Sequence, residues 1–228
     1  MHSGIFMHMN FLVSVNKKER KTRMSSAVIS REERGVMVNP TEITKTTLFF
    51  KNMTRFITGT TKTIPIDRST PFNPEFFGAG VTIWKGPAWG DGLVGREDQD
   101  SRSLALTELD TRWLRLETTL NQQTEFFIYG KVKETRLEAM ADYIRPDARI
   151  FQTFWRKQHL IPESFKQRVN DSPIYICFDG TKLRGPSRHR YVPCLYWAGK
   201  AWCSGLADLS CAFRVNNPSV VYRVGYLD

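Results

Sequence analysis

Apolar and polar positions change rhythm along this chain, and each rhythm predicts an element. Before residue 53 no period is sustained, and Ser, Thr, Lys and Arg dominate. Ile64-Pro65-Ile66 and Pro71-Phe72-Asn73-Pro74 read as extended or turn segments, because proline disfavours helix in its predecessor. Val81 to Trp84 reads as a strand, followed by a glycine-rich loop over Gly86 to Gly95. Ser103 to Leu106 and Trp113 to Thr119 are β-compatible and are expected to be strands. A helix is expected over Lys133 to Tyr143, with Leu137, Met140 and Ala141 on one face. Pro146 interrupts it. Asp147 then caps a second helix to Gln158, in which Ile150, Phe151, Phe154 and Trp155 form an apolar stripe. Pro162 to Phe165 suggests one more helical turn. The remainder is strand-like: Ile174 to Phe178, a turn at Asp179-Gly180, Tyr191 to Trp197, and a closing strand over Val220 to Val224. Helices followed by a C-terminal antiparallel strand region make an α+β domain.

Composition supports a real core: 41% of the 228 residues are hydrophobic and 12% aromatic. The expected organisation is a basic N-terminal segment over residues 1–52 and a single α+β domain over 53–228. The recurring methionines make Met53, or Met37, an expected start of translation. The apolar run Ile5 to Val13 is short and precedes its basic residues, the reverse of a secretory signal. No apolar stretch reaches the length of a membrane span, so a cytoplasmic protein with no membrane partner is expected.

Net charge is +10, which raises nucleic acid as a partner. The first 52 residues hold nine Lys/Arg against four Asp/Glu, so half the excess lies in the N-terminal segment. Two clusters carry this reading: Lys17, Lys18, Arg20, Lys21 and Arg23, and then Lys182, Arg184, Arg188, His189 and Arg190. Nucleic acid is the second functional expectation, behind the one developed below.

Enzymatic motifs are incomplete. Phe178-Asp179-Gly180-Thr181 follows an apolar strand as in haloacid-dehalogenase phosphatases, but the position of the nucleophilic aspartate is Cys177. Asp91, Glu97, Asp98 and Asp100 lack calcium-loop spacing, and the glycines from 78 to 95 end in no Gly-Lys-Ser/Thr. Cys177, Cys194, Cys203 and Cys211 form no Cys-x-x-Cys pair and read as small hydrophobes. His159 and His189 stand alone. No catalytic residue, metal or cofactor is expected, and the chain is read as a non-enzyme.

The C-terminus has a different signature. Lys, Glu, Gln, Met and Trp supply 44 of the first 202 residues and none of the last 26. Randomising the two adenines of an Asn codon gives this result, because a pyrimidine third base excludes all five types. Cys203-Ser204-Gly205-Leu206-Ala207-Asp208 and Ser210-Cys211-Ala212 use only permitted types, and Asn216-Asn217 look like unmutated template.

From Ile64 onward the chain resembles a family of proteins from small-genome bacteria. The matching pieces include Ile64-Pro65-Ile66-Asp67, Ser103-Leu104-Ala105-Leu106-Thr107, Asp147-Ala148-Arg149-Ile150-Phe151-Gln152, Leu160-Ile161-Pro162-Glu163-Ser164 and Phe178-Asp179-Gly180-Thr181. Tyr191-Val192, Cys194-Leu195-Tyr196-Trp197, Asn217-Pro218-Ser219 and Val221 complete them. Members differ most between the residues matching Trp202 and Pro218, as in the variable proteins of diversity-generating retroelements. Ser204 and Asp208 stand where the family usually has tryptophan. The resemblance implies a C-type-lectin-like fold that displays a diversified surface to a protein or small ligand. It places the contacts at Cys203, Ser204, Gly205, Leu206, Ala207, Asp208, Ser210, Cys211, Ala212 and Arg214, with Trp202 and Phe213 as aromatic anchors. Ser204, Ala207, Asp208, Ser210, Ala212 and Arg214 are then expected at the surface, and Trp202, Leu209 and Phe213 deeper.

Overall fold

The computed structural model describes residues 63–121 and 124–224. The expectations for residues 1–52, the boundary at 53 and the 17–23 basic cluster lie outside them. In chain order the first elements are β1 (Thr63–Pro65), β2 (Thr82–Ile83), α1 (Ser101–Leu104), β3 (Glu108–Asp110), β4 (Leu114–Glu117) and β5 (Ile128–Tyr129). Next come α2 (Gly130–Glu138), β6 (Tyr143–Ile144), α3 (Ala148–Arg156), β7 (Arg168–Val169), β8 (Ser172–Pro173) and β9 (Ile176–Cys177). The chain closes with β10 (Leu183–Arg184), β11 (Arg190–Trp197), β12 (Trp202–Asp208), β13 (Ala212–Phe213) and β14 (Ser219–Arg223). The fold is α+β and mostly strand. Strands precede the helices as well as follow them, so the expected order of helices first is only partly met.

The main sheet has eight strands, in the path β2-β10-β11-β9-β14-β4, with β12 beside β11 and β6 beside β14. Its pairs are antiparallel except β14 with β9. Three two-stranded sheets, β1–β3, β5–β13 and β7–β8, complete the described strands. Successive strand residues point to opposite faces, and the core follows that alternation. Ile176, Phe178, Leu195 and Trp202 enter one cluster, while Cys177, Val192, Cys194 and Ala207 enter another. The central sheet is therefore covered on both faces.

Helix α3 explains much of the first cluster. The Asp147 carboxylate accepts from the N–H groups of Arg149 (2.8 Å) and Ile150 (3.0 Å), satisfying two donors of the first turn. Ile150, Phe151 and Phe154 are buried, with Phe151 edge-on to Phe178 at 5.4 Å. Three of the four stripe residues are core as their spacing predicts, and Trp155 packs against them partly buried.

Two local expectations are corrected. Ser101–Leu104 is a short helix capped by Asp100, whose side chain accepts from Arg102 N–H, so Ser103 begins no strand. Asp179-Gly180 is not the hairpin turn. The Ile176–Arg184 segment runs antiparallel to β11, but residues 179–182 leave the ladder as a buried excursion. The reversal comes later, at Gly185–Arg188, where Arg188 N–H bonds the Gly185 carbonyl at 2.9 Å. A Cβ at Gly180 would lie 2.0 Å from the Arg145 carbonyl oxygen. That close approach is why the position needs glycine.

Candidate functional site

The C-terminal segment begins as strand β12 and continues through a turn into β13. Cα partners run without interruption from Tyr191↔Asp208 to Trp197↔Trp202. Paired residues in an antiparallel ladder share a face, so Trp202, Ser204, Leu206 and Asp208 lie on one face and Cys203, Gly205 and Ala207 on the other. At Asp208 the chain turns: Cys211 N–H bonds the Asp208 carbonyl, and the Asp208 carboxylate accepts from Ser210 N–H (2.8 Å) and Oγ (2.7 Å). The other carboxylate oxygen is 2.9 Å from His189 Nδ1. After β13, Asn217 Oδ1 accepts from Arg214 N–H and Asn217 N–H bonds the Arg214 carbonyl. The buried Asn217 thus closes a turn of its own.

The ten predicted contact residues divide by this geometry. Ser210, Cys211 and Arg214 are exposed, while Cys203, Ser204, Gly205, Leu206, Asp208 and Ala212 are partly buried. Ala207 is a correction. It is 9% exposed and packs with Val192 and Cys194, because its β12 register turns it inward. The two aromatic anchors are corrected as well. Trp202 is 6% exposed and meets Trp197 edge-on at 5.5 Å, and Phe213 is 4% exposed beneath the β5–β13 ribbon. Both fill core on the inner side of the backbone and present no ring to a ligand. Asp208 is already engaged as a turn former, which the sequence reading assigned to ligand contact. The expected burial of Trp202, Leu209 and Phe213 is met.

The second basic cluster does not form one patch. Lys182 is buried, and its Nζ donates to the Asp179 carbonyl at 2.5 Å and lies 3.5 Å from Glu134 Oε1. Arg190 donates to both oxygens of Glu134 at 2.9 Å and to Asp98 at 2.6 Å. Only Arg188 and His189 are exposed, with Arg184 between.

Beneath the segment lies a feature that the sequence reading missed. Lys133 and Asp179 are both fully buried and form a bidentate ion pair, Nζ to Oδ1 at 2.9 Å and to Oδ2 at 3.0 Å. The same ammonium sits 4.4 Å from the centre of the Phe213 ring. Burial opposes charge on Asp179, but Lys133 and Lys182 outweigh it and hold its carboxyl below the usual range. Burial likewise opposes charge on Lys133, yet Asp179 keeps its ammonium above its ordinary value. Burial pushes the neighbouring Cys177 thiol up to about 11. Helix α2 turns Gly130, Lys133, Glu134 and Leu137 inward, at intervals of three and four. The helical period was there to be found, but charged residues carry it. Met140 and Ala141, expected on the buried face, lie beyond the end of the helix.

Among the described residues no cluster of His, Cys, Asp or Glu is arranged to hold a metal ion, and no helix is long and apolar enough to cross a membrane. A cleft of about 550 Å³ lies elsewhere, between the Arg68–Pro74 segment, Ile83–Lys85 and Glu97–Gln99. Its two arginines are already held: Arg68 by Asp147 and the Leu106 and Ser103 carbonyls, Arg149 by Asp67, Thr70 and Gln152. Comparison with protein-family models, with curated proteins and with solved structures gives no match.

Proposed function

We propose that this protein is a binding module whose recognition surface is the C-terminal segment, with a protein or small ligand as its target and no reaction of its own. One observation carries the reading. The segment alternates anchored and accessible positions: Trp202, Ala207, Leu209 and Phe213 are core, and Ser204, Ser210, Cys211, Ala212 and Arg214 are wholly or partly accessible between them. Replacements at the exposed Ser210, Cys211 and Arg214 leave the core packing untouched, which is the physical requirement for a surface that varies. Gly205 shares the inward face of Ala207, but an added Cβ would meet Cys194 Sγ at an ordinary 3.5 Å, so a methyl fits there. The reading keeps the comparison with retroelement variable proteins and their C-type-lectin-like fold as part of the proposal.

Two matched libraries test it. One randomises positions 204, 210, 211, 212 and 214 in the full chain; the other randomises Val192, Cys194, Ala207, Leu209 and Phe213. Displayed on yeast and sorted for protease resistance, most of the first library should survive and little of the second. Sorting the survivors on lysozyme as a model target should then yield binders that depend on the randomised positions. Equal losses in both libraries, or no binders from the first, would remove the recognition surface.

A further inference from the structure

Strands β5 and β13 form a two-stranded ribbon with Tyr129 opposite Ala212 and Ile128 opposite Phe213. Residues that face each other across an antiparallel ladder project to the same side. Ile128 and Phe213 are buried, so this pair makes the inner side of the ribbon. Tyr129 and Ala212 therefore make its outer side. Tyr129 is 58% exposed and Phe127, two residues earlier, is 44% exposed. Their rings contact edge-to-face with centres 5.7 Å apart. Phe126 and Val132, at either end of this stretch, are 68% and 40% exposed. Four large apolar side chains within seven residues are left in water; the other strongly exposed group, Trp89, Leu93 and Val94, lies in the glycine-rich loop. Isolated exposed apolar residues need no explanation, but a contiguous set marks an interaction surface.

The ribbon joins this aromatic pair to the proposed recognition segment. Ala212 is Tyr129's partner, Ser210 and Cys211 lead into β13, and Arg214 follows it. The anchor role that Trp202 and Phe213 cannot fill thus falls to Phe127 and Tyr129, which come from a part of the chain some eighty residues upstream. Aromatic side chains suit that role: they offer large contact area at small cost in conformational entropy.

The charges beside the ribbon define the partner. Lys131 lies beyond one end and Arg214 beyond the other, both exposed and without a side-chain partner among the described residues. The nearby carboxylates are occupied: Glu125 by Arg136 at 2.5 and 2.7 Å, and Asp208 by Ser210 and His189. The available charge at the ribbon is therefore positive at both ends with an apolar centre. Single-stranded nucleic acid also stacks on aromatic residues beside cations. Two cations, however, engage about two phosphates, where salt-dependent nucleic-acid binding typically draws on about six to ten.

We infer that Phe127 and Tyr129 are the constant aromatic anchors of the recognition surface, and that the surface takes a polypeptide segment with an apolar centre flanked by carboxylates. This rests on reading Ser210 to Arg214 as recognition positions.

The test uses the full chain as bait for a random dodecapeptide phage library. Selected peptides should be enriched in Leu, Ile, Phe or Trp between Asp or Glu. The strongest, made synthetically, should bind in fluorescence anisotropy and lose tenfold or more in affinity to the pair Phe127→Ala/Tyr129→Ala. Val132→Asp should weaken binding in the same direction, and unchanged melting temperatures would show that the fold is intact. Peptides without acidic or apolar bias, or indifferent to both sets of variants, would overturn the inference. Peptides that respond to Ser210→Ala/Arg214→Ala but not to the aromatic pair would overturn it while leaving the recognition segment standing. Tighter, salt-sensitive binding of a dodecathymidylate than of any peptide would replace the polypeptide partner by nucleic acid.

Discussion

The buried pair Lys133–Asp179 can be dissected by three variants: Lys133→Met, Asp179→Leu and the two together. At 2.9 Å and an effective dielectric of about 20, the gross attraction is about 6 kcal/mol. Desolvation of each ion costs several kcal/mol, so the net contribution of the intact pair is small. Removing one partner has a different effect, because it leaves a charge with zero exposure and no counter-ion; such losses run to about 3–5 kcal/mol. The two single variants are not equivalent. After Lys133→Met, Asp179 still has the field of Lys182. After Asp179→Leu, the Lys133 ammonium is stranded, and Lys182 keeps the residue-179 carbonyl but has Glu134, at 3.5 Å, as its counter-ion. Asp179→Leu should therefore be the costlier variant, at the upper end of that range, or up to about 20 °C in melting temperature at about 2–4 °C per kcal/mol. The double variant should be milder than either single one. Urea melts followed by tryptophan fluorescence measure all three. Single variants each within about 1 kcal/mol of wild type, or a double variant that loses the sum of the two, would refute this account of the core.

Phe154→Ala should cost about 3–5 kcal/mol, because the ring is buried among the residues of the larger core cluster; a near-neutral urea melt would take the α3 stripe out of the core. Stability should fall between about pH 9 and pH 11: the unfolded Cys177 thiol ionises near 9 while the folded one holds its proton to about 11, so the unfolded state is favoured by up to about 3 kcal/mol over that interval. A Cys177→Ala variant with an unchanged alkaline limb would contradict this. In native protein iodoacetamide should modify the exposed Cys211 first and leave the buried Cys177 and Cys194 untouched until unfolding, as peptide mass mapping would show; early labelling of Cys194 would contradict the register of β11. Arg214→Ala should change stability by less than about 0.5 kcal/mol, whereas Asp208→Ala should cost more, because its carboxylate holds the turn through two bonds to Ser210; equal melts for the two would remove the structural role of Asp208.

What the sequence revealed and what it hid have physical reasons. The α3 helix was legible because its polar cap and its apolar stripe are both local: Asp147 before Ile150, Phe151 and Phe154. Strand β11 was legible as an apolar run in which Tyr191, Val192, Tyr196 and Trp197 favour a strand, although Pro193 lies inside it. The buried face of α2 was not, since Lys133 and Glu134 look like solvent-facing residues until Asp179, 46 positions away, and Arg190, 56 positions away, are brought to them. Asp179-Gly180 looked like a hairpin turn because local chemistry favours one there. The tertiary approach of Gly180 to the Arg145 carbonyl made it a buried excursion instead. Within the C-terminal segment composition carries no information on which way a side chain points. That required the β11–β12 register, which turns Ala207 inward, and the β5–β13 pairing, which turns Phe213 inward and Tyr129 outward.

The ion network and the proposed recognition segment share one structural base. Gly130, the first residue of α2, is pressed so closely on Leu209 that a Cβ would lie 2.2 Å from its carbonyl oxygen. One turn later Lys133 places its ammonium under the Phe213 ring. The inner anchors at 209 and 213 thus rest on a single helix, which Asp179, Glu134, Lys182 and Arg190 tie to the β9–β11 region of the sheet. Neither support uses the side chains at 210, 211, 212 or 214. On the proposed reading this separates two demands: buried groups of fixed identity would supply stability from below, and the side chains at 210, 211, 212 and 214 would supply specificity from above. It follows that the cost of a substitution in the segment should depend on the face it occupies rather than on its chemistry. A bulky or charged residue at 212 should be tolerated where a conservative Phe213→Leu is not, although the two positions are adjacent in the chain.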